Sequence, residues 1–274
     1  MPDIIRNLKK PFVFLHKDII NESSYKFAFV TQLLGIFFSV VSLYFLSKLV
    51  GKAALPHIQP YGGDYLSFLL IGLALFGYIQ VALNSFSNCI RNAQTLGTLE
   101  AMLVTQTSIP TIIFSSSLYS FAITSFRIIV YLLFGALAFG LNVRSANYMG
   151  AIIILFITII CCSSIGILSA SFIMVLKKGD PLSWIFKSLS WLLSGVYYPV
   201  SILPDWLQKL SYFIPVTHSL EGMRMALLNG YPMRDLFSSI LPLSVSTIIL
   251  LPLSMFSFKY AVRIAKINGS LTQY

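Results

Sequence analysis

The sequence predicts an all-α integral membrane protein with six transmembrane helices. Composition is the first reason, because 57% of the residues are hydrophobic and only 10% are charged, whereas soluble domains carry about 25% charged residues. Long apolar segments are the second reason, since about 20 such residues cross a bilayer as a helix. Because these segments are continuous rather than alternating, they do not fit a β-barrel. Backbone groups in lipid must be satisfied internally, which favours a helix for each span.

The first 26 residues predict a cytoplasmic helix that lies on the membrane surface. Pro11 suits a first helical turn, and charged residues such as Lys17 and Glu22 fall on a separate face. Apolar residues recur after Pro11 at helical spacing: Phe12, Leu15, Ile19 and Ile20. A short unstructured tail is the alternative. The segment is too charged for a cleavable signal peptide.

Residues 27–258 hold the predicted six-span membrane domain, and residues 259–274 form a cytoplasmic C-terminal tail. The spans are placed near Phe27–Ser47, Leu66–Phe86, Ile112–Phe139, Tyr148–Leu176, Leu182–Pro199 and Ser238–Phe258. Of the 19 lysines and arginines, most flank the spans on the side of the two termini. The positive-inside rule therefore predicts that both termini are cytoplasmic. This bias and contact with anionic headgroups account for the net charge of +10.

Several function classes lack the motifs they need. The glycine pairs Gly72/Gly77 and Gly135/Gly140 have P-loop spacing, but no lysine follows either pair, so no phosphate-cradling loop is expected. Three cysteines and three scattered histidines form no disulfide or zinc pattern. No catalytic constellation is present, and no basic stripe with exposed aromatics indicates a nucleic-acid partner. We therefore expect no catalytic residues, no metal and no cofactor on this chain.

The segment RNAQTLGTLEAMLVTQ, residues 91–106, separates the second and third spans. Its apolar residues form one helical stripe: Leu96, Leu99, Met102 and Leu103. A cytoplasmic helix over about 91–104 is predicted. Its apolar face could pack against the membrane domain or against a docked protein.

A second unusual segment, residues 193–224, precedes the last span. It is rich in aromatics and interrupted by prolines, which tend to end helices. Two short helices are predicted, about Asp205–Ile214 with Asp205 as N-cap and about Val216–Asn229. They are expected to dip back toward the membrane from outside within a re-entrant region of about 200–229. An interfacial aromatic belt is the alternative.

Arg127 lies roughly halfway along the third span. A central arginine costs about 2.5–3.5 kcal/mol on insertion scales, so it is expected to face protein or water. It could contact an anionic substrate or serve as a structural charge. We favour the structural role on sequence grounds, and transport by an Arg127→Gln variant that still assembles would distinguish the two.

Residues 91–106 and residues 193–224 resemble the corresponding regions of the ABC-2 family, the membrane subunits of ATP-binding-cassette exporters. In residues 91–106, the residues that match or follow the family's loop are Arg91, Gly97, Thr98, Leu99, Glu100 and Leu103. The resemblance implies a coupling helix that seats on the ATPase. The family often has Thr-Pro where Thr105 and Gln106 stand. Residues 193–224 resemble the family's region before the last span and imply an outer gate that includes Tyr197, Tyr198, Pro199, Trp206 and Phe213.

The resemblance also implies partners and a location. A separate ABC ATPase would bind ATP and Mg, and a second permease copy would complete the pathway, most simply as a homodimer. The substrate class would be a drug, a lipid or a lipid-linked polysaccharide, exported across a prokaryotic plasma (inner) membrane. An ATP-independent secondary transporter is the alternative, although no internal repeat supports it.

Overall fold

A computed structural model describes residues 26–62, 64–97, 109–140, 146–176 and 180–267. Its described part is built from helices and short 3₁₀ turns. The helices are α1 (Lys26–Ile58), α2 (Tyr65–Thr95), α3 (Ile109–Phe139), α4 (Tyr148–Leu176), α5 (Pro181–Leu193), α6 (Asp205–Tyr212), α7 (Pro215–Leu227) and α8 (Met233–Ile267). The 3₁₀ turns are Gln59–Tyr61 and Val200–Ile202. Nearly all of the predicted interfacial helix, residues 1–25, lies outside the described residues.

Five helices within the described ranges are long and apolar enough to cross a membrane. Their candidate spans are Val30–Gly51, Tyr65–Thr95, Ser117–Phe139, Tyr148–Leu176 and Met233–Ala265. The described part of the chain is therefore all-helical and has the long apolar helices of a multi-pass membrane protein.

The predicted fifth span differs from the helix that the structure contains. Helix α5 has 13 residues, so it is about 20 Å long and too short by itself for a hydrocarbon core of about 30 Å. The helix ends before Gly195, whose φ of +78° is a left-handed conformation that favours glycine. The chain then continues to Pro199 without regular helix, where the sequence had predicted helix.

Helix α2 is the central helix of the bundle. In its most apolar window 72% of the residues are buried, against 11% for α1. It packs against α4, α3 and α1. Gly166 of α4 permits a close approach, because a Cβ there would lie 2.5 Å from the carbonyl oxygen of Ala82. Asp64 caps the helix by accepting hydrogen bonds from the amides of Leu66 and Ser67.

Tyr65 lies at one end of the helix bundle, called the Tyr65 end, and Asp180 lies at the opposite end. Helix α7 lies at the Tyr65 end, where the Asn147 amide donates to the Ala226 carbonyl over 2.8 Å. It also reaches inward, because the Thr158 and Ser219 hydroxyls are 2.9 Å apart. Thr158 is about 15 Å along α4 from Tyr148. Helix α7 therefore runs beside the first half of α4.

The two predicted short helices before the last span are present as α6 and α7, with ends within a few residues of the expected ones. The predicted cap was wrong. Pro204 occupies the N-cap position, and Asp205 is the first helical residue without a side-chain capping bond. The preceding proline has an extended backbone at the cap, so Asp205 lies in the first turn of the helix. Its negative charge there still interacts favourably with the helix dipole.

Candidate functional site: a polar cleft within the membrane domain

Helices α1, α2 and α3 form most of the walls of an open cleft of about 620 Å³. The polar residues that line it are Gln32, Ser39, Ser42, Gln80, Thr124, Arg127, Tyr131 and Tyr197. Its apolar lining includes Ile36, Leu43, Leu73 and Ile128. The cleft therefore combines apolar walls with converging polar groups, as ligand sites do.

Arg127 supplies the positive charge of this cleft. It lies near the middle of the candidate span Ser117–Phe139 and is exposed to the cleft. With its amide oxygen turned toward Arg127, the Gln32 side chain accepts hydrogen bonds from Nη2 and, over 2.7 Å, from Nε. No acidic residue is among the described residues that line the cleft. The charge at this depth is therefore met by a neutral amide.

Tyr131 lies one helical turn beyond Arg127 and lines the same cleft. Its side chain is 9% exposed, and its hydroxyl has no hydrogen-bond partner among the described residues. An unpaired buried hydroxyl costs stability. The sequence analysis did not single out Tyr131 or Gln32, because an isolated tyrosine or glutamine in an apolar helix carries no recognisable pattern.

A second arginine, Arg224, holds the Tyr65 end together. It is only 2% exposed and lies with its guanidinium carbon 3.4 Å from the centre of the Phe68 ring. It donates to three carbonyl oxygens: Phe68 from Nε at 3.3 Å, Gly195 from Nη1 at 2.8 Å and Val196 from Nη2 at 3.0 Å. We call this arrangement the Arg224 junction. It joins α7 to α2 and to the turn after α5.

The sequence analysis did not single out Arg224, which falls within the predicted helix about Val216–Asn229. Val216, Leu220 and Arg224 fall at i, i+4 and i+8 on α7, and all three are buried. This spacing puts the arginine on an apolar helical face and was the signal that could have found it.

The predicted outer-gate residues do not form one cluster. Tyr197 lines the Arg127 cleft, and its ring meets Trp191 edge-on at 4.7 Å. The Tyr198 hydroxyl donates to the Leu192 carbonyl, and Pro199 lines a separate small cavity beside Arg224. Trp206 and Phe213 are 64% and 85% exposed and line neither space.

The predicted coupling residues are only partly described. Arg91 is part of α2 and lines a groove with Asp180 and Lys187. Gly97 adopts φ +66° just after α2 ends, and its amide donates to the Gln94 carbonyl over 3.0 Å. Gly97 thus stands in a helix-terminating conformation that favours glycine. The remaining predicted coupling residues, Thr98, Leu99, Glu100 and Leu103, lie outside the described residues.

Asp180 anchors the opposite end of the bundle. Its carboxylate accepts hydrogen bonds from the Ser169 hydroxyl and, over 3.1 Å, from the Ser183 amide. Burial acts to raise the pKa of Asp180, but hydrogen bonds from Ser169, Ser183 and Ser87 outweigh it and lower the pKa. Asp180 therefore caps α5 and ties it to α4 and α2.

These features define a polytopic helical membrane protein with a polar cleft at the depth of its spans. The ABC-2 type transporter family model matches residues 16–228, well over half of the chain, and the chain therefore belongs to this family. A stretch of 37 residues is 54% identical to Nodulation protein J of Sinorhizobium fredii. That stretch covers 14% of this chain and 14% of the relative, so the similarity spans a small part of either protein.

The family match spans α1 to α7, so it includes both arginine environments described above. The buried Arg224 junction and the open Arg127 cleft are the two features that a functional account has to use.

Proposed function

We propose that this chain is the permease subunit of an ABC exporter that moves an amphipathic or lipid-linked substrate out of the cytoplasm. ATP and Mg bind to a separate ATPase subunit. The observation that carries the proposal is the family match over residues 16–228, which includes both the predicted coupling segment and the region of α6 and α7. Drugs, lipids and lipid-linked polysaccharides are the candidate substrates.

Six crossings of the membrane are part of this proposal. Ser183, at the start of α5, donates its hydroxyl to the Leu83 carbonyl over 3.3 Å. The Tyr65 hydroxyl donates to the Tyr197 carbonyl over 2.9 Å. Leu83 and Tyr65 are about 27 Å apart along α2, close to the core thickness of about 30 Å. Helix α5 and the irregular turn after it together support a fifth crossing.

A re-entrant α6–α7 pair is also part of the proposal. The Ser219–Thr158 contact lies about 15 Å along α4, which supports a dip of this pair into the membrane from the Tyr65 end. The positive-inside bias supports placing that end outside and both termini in the cytoplasm. The N-terminal interfacial helix and the prokaryotic inner-membrane location remain proposals from the family resemblance.

The mechanism that follows has two linked movements. Closure of the ATPases on ATP would push on the segment around Gly97, Leu99 and Glu100, and the movement would pass through α2 and α3 to the cleft between them. A second copy of the chain would close the open side of the cleft, giving a homodimer. Substrate would leave past Tyr197, which lines the cleft near the Tyr65 end.

Purification from the native cell tests this function. The tagged chain in mild detergent should carry a nucleotide-binding ATPase in stoichiometric amount. In this proposal Glu100 accepts a charge-assisted hydrogen bond from a basic group on the ATPase, so Glu100→Lys should reduce that association. Asp205→Lys is the matched control, since Asp205 is an exposed acid at the Tyr65 end. Equal ATPase recovery from both variants would remove Glu100 from the docking surface.

A secondary transporter is the second candidate, and the position of Arg127 within a span is the observation that favours it. Charged groups near the bilayer midplane mark the binding sites of such transporters. A chain that purifies without an ATPase and moves substrate along an ion gradient in liposomes would replace the exporter proposal.

A further inference from the structure

Only some of the N–H donors of the Arg127 guanidinium are hydrogen-bonded to described residues of the cleft. A guanidinium carries five N–H donors, and the Gln32 oxygen accepts from Nε and Nη2. The remaining N–H groups of the guanidinium, including those on Nη1, have no acceptor among the described residues that line the cleft. None of those residues is acidic. The cleft therefore presents positive charge and directed donors without a fixed counter-ion.

Tyr131 adds an independent observation to the same place. Its hydroxyl is buried and unpaired, and it stands one turn of α3 from Arg127 on the cleft. Buried hydroxyls are normally hydrogen-bonded in native proteins. An acceptor from a ligand would satisfy this donor and the Arg127 fork together.

The walls of the cleft limit what kind of ligand fits. Ile36, Leu73 and Ile128 contribute apolar surface beside the polar groups. Arg matches the geometry of planar or tetrahedral oxyanions, which it binds through paired N–H donors. A cation would be repelled by Arg127, and a neutral sugar would leave the charge uncompensated at depth.

We propose that Arg127, Tyr131 and Gln32 form a subsite for the oxyanion group of an amphipathic ligand, with its acyl or alkyl part against the apolar wall. The group is a phosphate, a sulfate or a carboxylate attached to a lipid chain. The proposal rests on the proposed function for its place in transport. The binding itself is a property of this chain and can be measured on it alone.

Binding of short-chain lipids to the full chain in maltoside detergent tests the subsite. The probes are dioctanoyl phosphatidic acid, its net-neutral counterpart dioctanoyl phosphatidylcholine, and inorganic phosphate. Native mass spectrometry counts the bound molecules. We expect one phosphatidic acid per chain, bound at least about tenfold more tightly than phosphatidylcholine, and no retained inorganic phosphate.

Four variants separate this subsite from other causes. Arg127→Gln should weaken phosphatidic acid binding at least about tenfold, and Arg127→Lys should recover only part of it, because lysine keeps the charge but loses the paired N–H donors. Tyr131→Phe should weaken binding about threefold to tenfold without lowering thermal stability, since it deletes an unpaired hydroxyl. Arg263→Gln, an exposed arginine of α8, should leave binding unchanged.

Tyr78→Phe is the matched control for the Tyr131→Phe variant. Tyr78 is paired with the Ser125 hydroxyl at 2.9 Å and does not line the cleft, so Tyr78→Phe should keep the affinity for phosphatidic acid. Trp191 contacts Tyr197 at the rim. Its fluorescence, in a Trp184→Phe/Trp206→Phe background, should therefore change when the lipid binds.

Two outcomes would overturn the subsite. Arg127→Gln binding phosphatidic acid as tightly as the unmodified chain would show that Arg127 does not hold the anion. Inorganic phosphate bound as tightly as the lipid would show a free-anion site and remove the amphipathic part. Absence of a co-purifying ATPase would overturn the exporter function instead, and it would leave the measured lipid binding standing.

Discussion

Arg127 and Arg224 are two arginines in apolar surroundings with opposite environments. Arg224 is buried, stacks on Phe68 and donates to three backbone carbonyls. Arg127 is exposed to an open cleft and has the Gln32 amide as its hydrogen-bond partner. The first arginine is saturated by the protein, whereas the second keeps donors that the described protein does not use.

The difference indicates what each charge does. A buried cation that satisfies irregular backbone is part of the fold, because removing it strands the groups that it serves. A charge left incompletely paired in a cleft carries a cost that folding does not recover. Arg224 is therefore expected to govern stability, and Arg127 to govern ligand binding.

Arg224→Met should have the largest effect on folding. It leaves the Phe68, Gly195 and Val196 carbonyls without this donor, at about 1–3 kcal/mol for each unsatisfied group. We expect little monodisperse protein by size-exclusion chromatography after detergent extraction. Arg234→Met, which changes an exposed arginine at the same end, is the control. A normal profile for Arg224→Met would break the comparison.

Gly72→Ala tests the same junction from the α2 side. A Cβ at Gly72 would lie 2.7 Å from the Val196 carbonyl oxygen and would also clash with the Arg224 guanidinium. Overpacking of this kind costs about 1–3 kcal/mol, so the thermal melting temperature should fall. Gly35→Ala on α1 meets nothing within 4 Å and should melt like the unmodified chain. Equal melting of the two variants would contradict the packing around Arg224.

Asp180 offers a smaller test of the rule that saturated charges stabilise the fold. Asp180→Ala removes the α5 cap, at about 0.5–2 kcal/mol, and Asp180→Asn should cost less because its amide oxygen can still accept. Since the folded pKa of Asp180 is lowered, the carboxylate contribution is present above about pH 4 and disappears as the pH falls below that value. Thermal melting of Asp180→Asn and unmodified protein should therefore differ at pH 7 and converge at lower pH. Asp205→Asn is the exposed control.

Much of the fold was predictable because long apolar runs leave few structural options in lipid. Five of the six predicted spans lie within α1, α2, α3, α4 and α8, although α1, α2 and α8 are longer than the predicted spans. The fifth was predicted as one continuous helix. Gly195 and Pro199 end it early, because a left-handed glycine and a proline create a turn whose carbonyls Arg224 then satisfies. That compensation is made by a residue far along the chain and is invisible to a hydropathy window.

The candidate site was predicted in pieces. Arg127 was recognisable because a charge inside a span is costly, although the sequence favoured a structural role for it, and Tyr197 was recognisable because it belongs to the aromatic segment. Only the packing of α1, α2 and α3 brings both to one cleft with Gln32 and Tyr131. The role of Arg224 was not predicted, because the predicted helix about Val216–Asn229 does not reveal which distant carbonyls its arginine meets.

ATP-driven movement of an anionic amphipath tests the central claim most directly. The permease, purified with its ATPase from native cells and reconstituted in vesicles, would be compared with its Arg127→Gln variant for hydrolysis of ATP and for transfer of fluorescent phosphatidic acid. The account predicts that hydrolysis is retained while transfer falls at least about tenfold. Undiminished transfer by the variant would contradict the role given to Arg127, and transfer without ATP would contradict the ABC exporter itself.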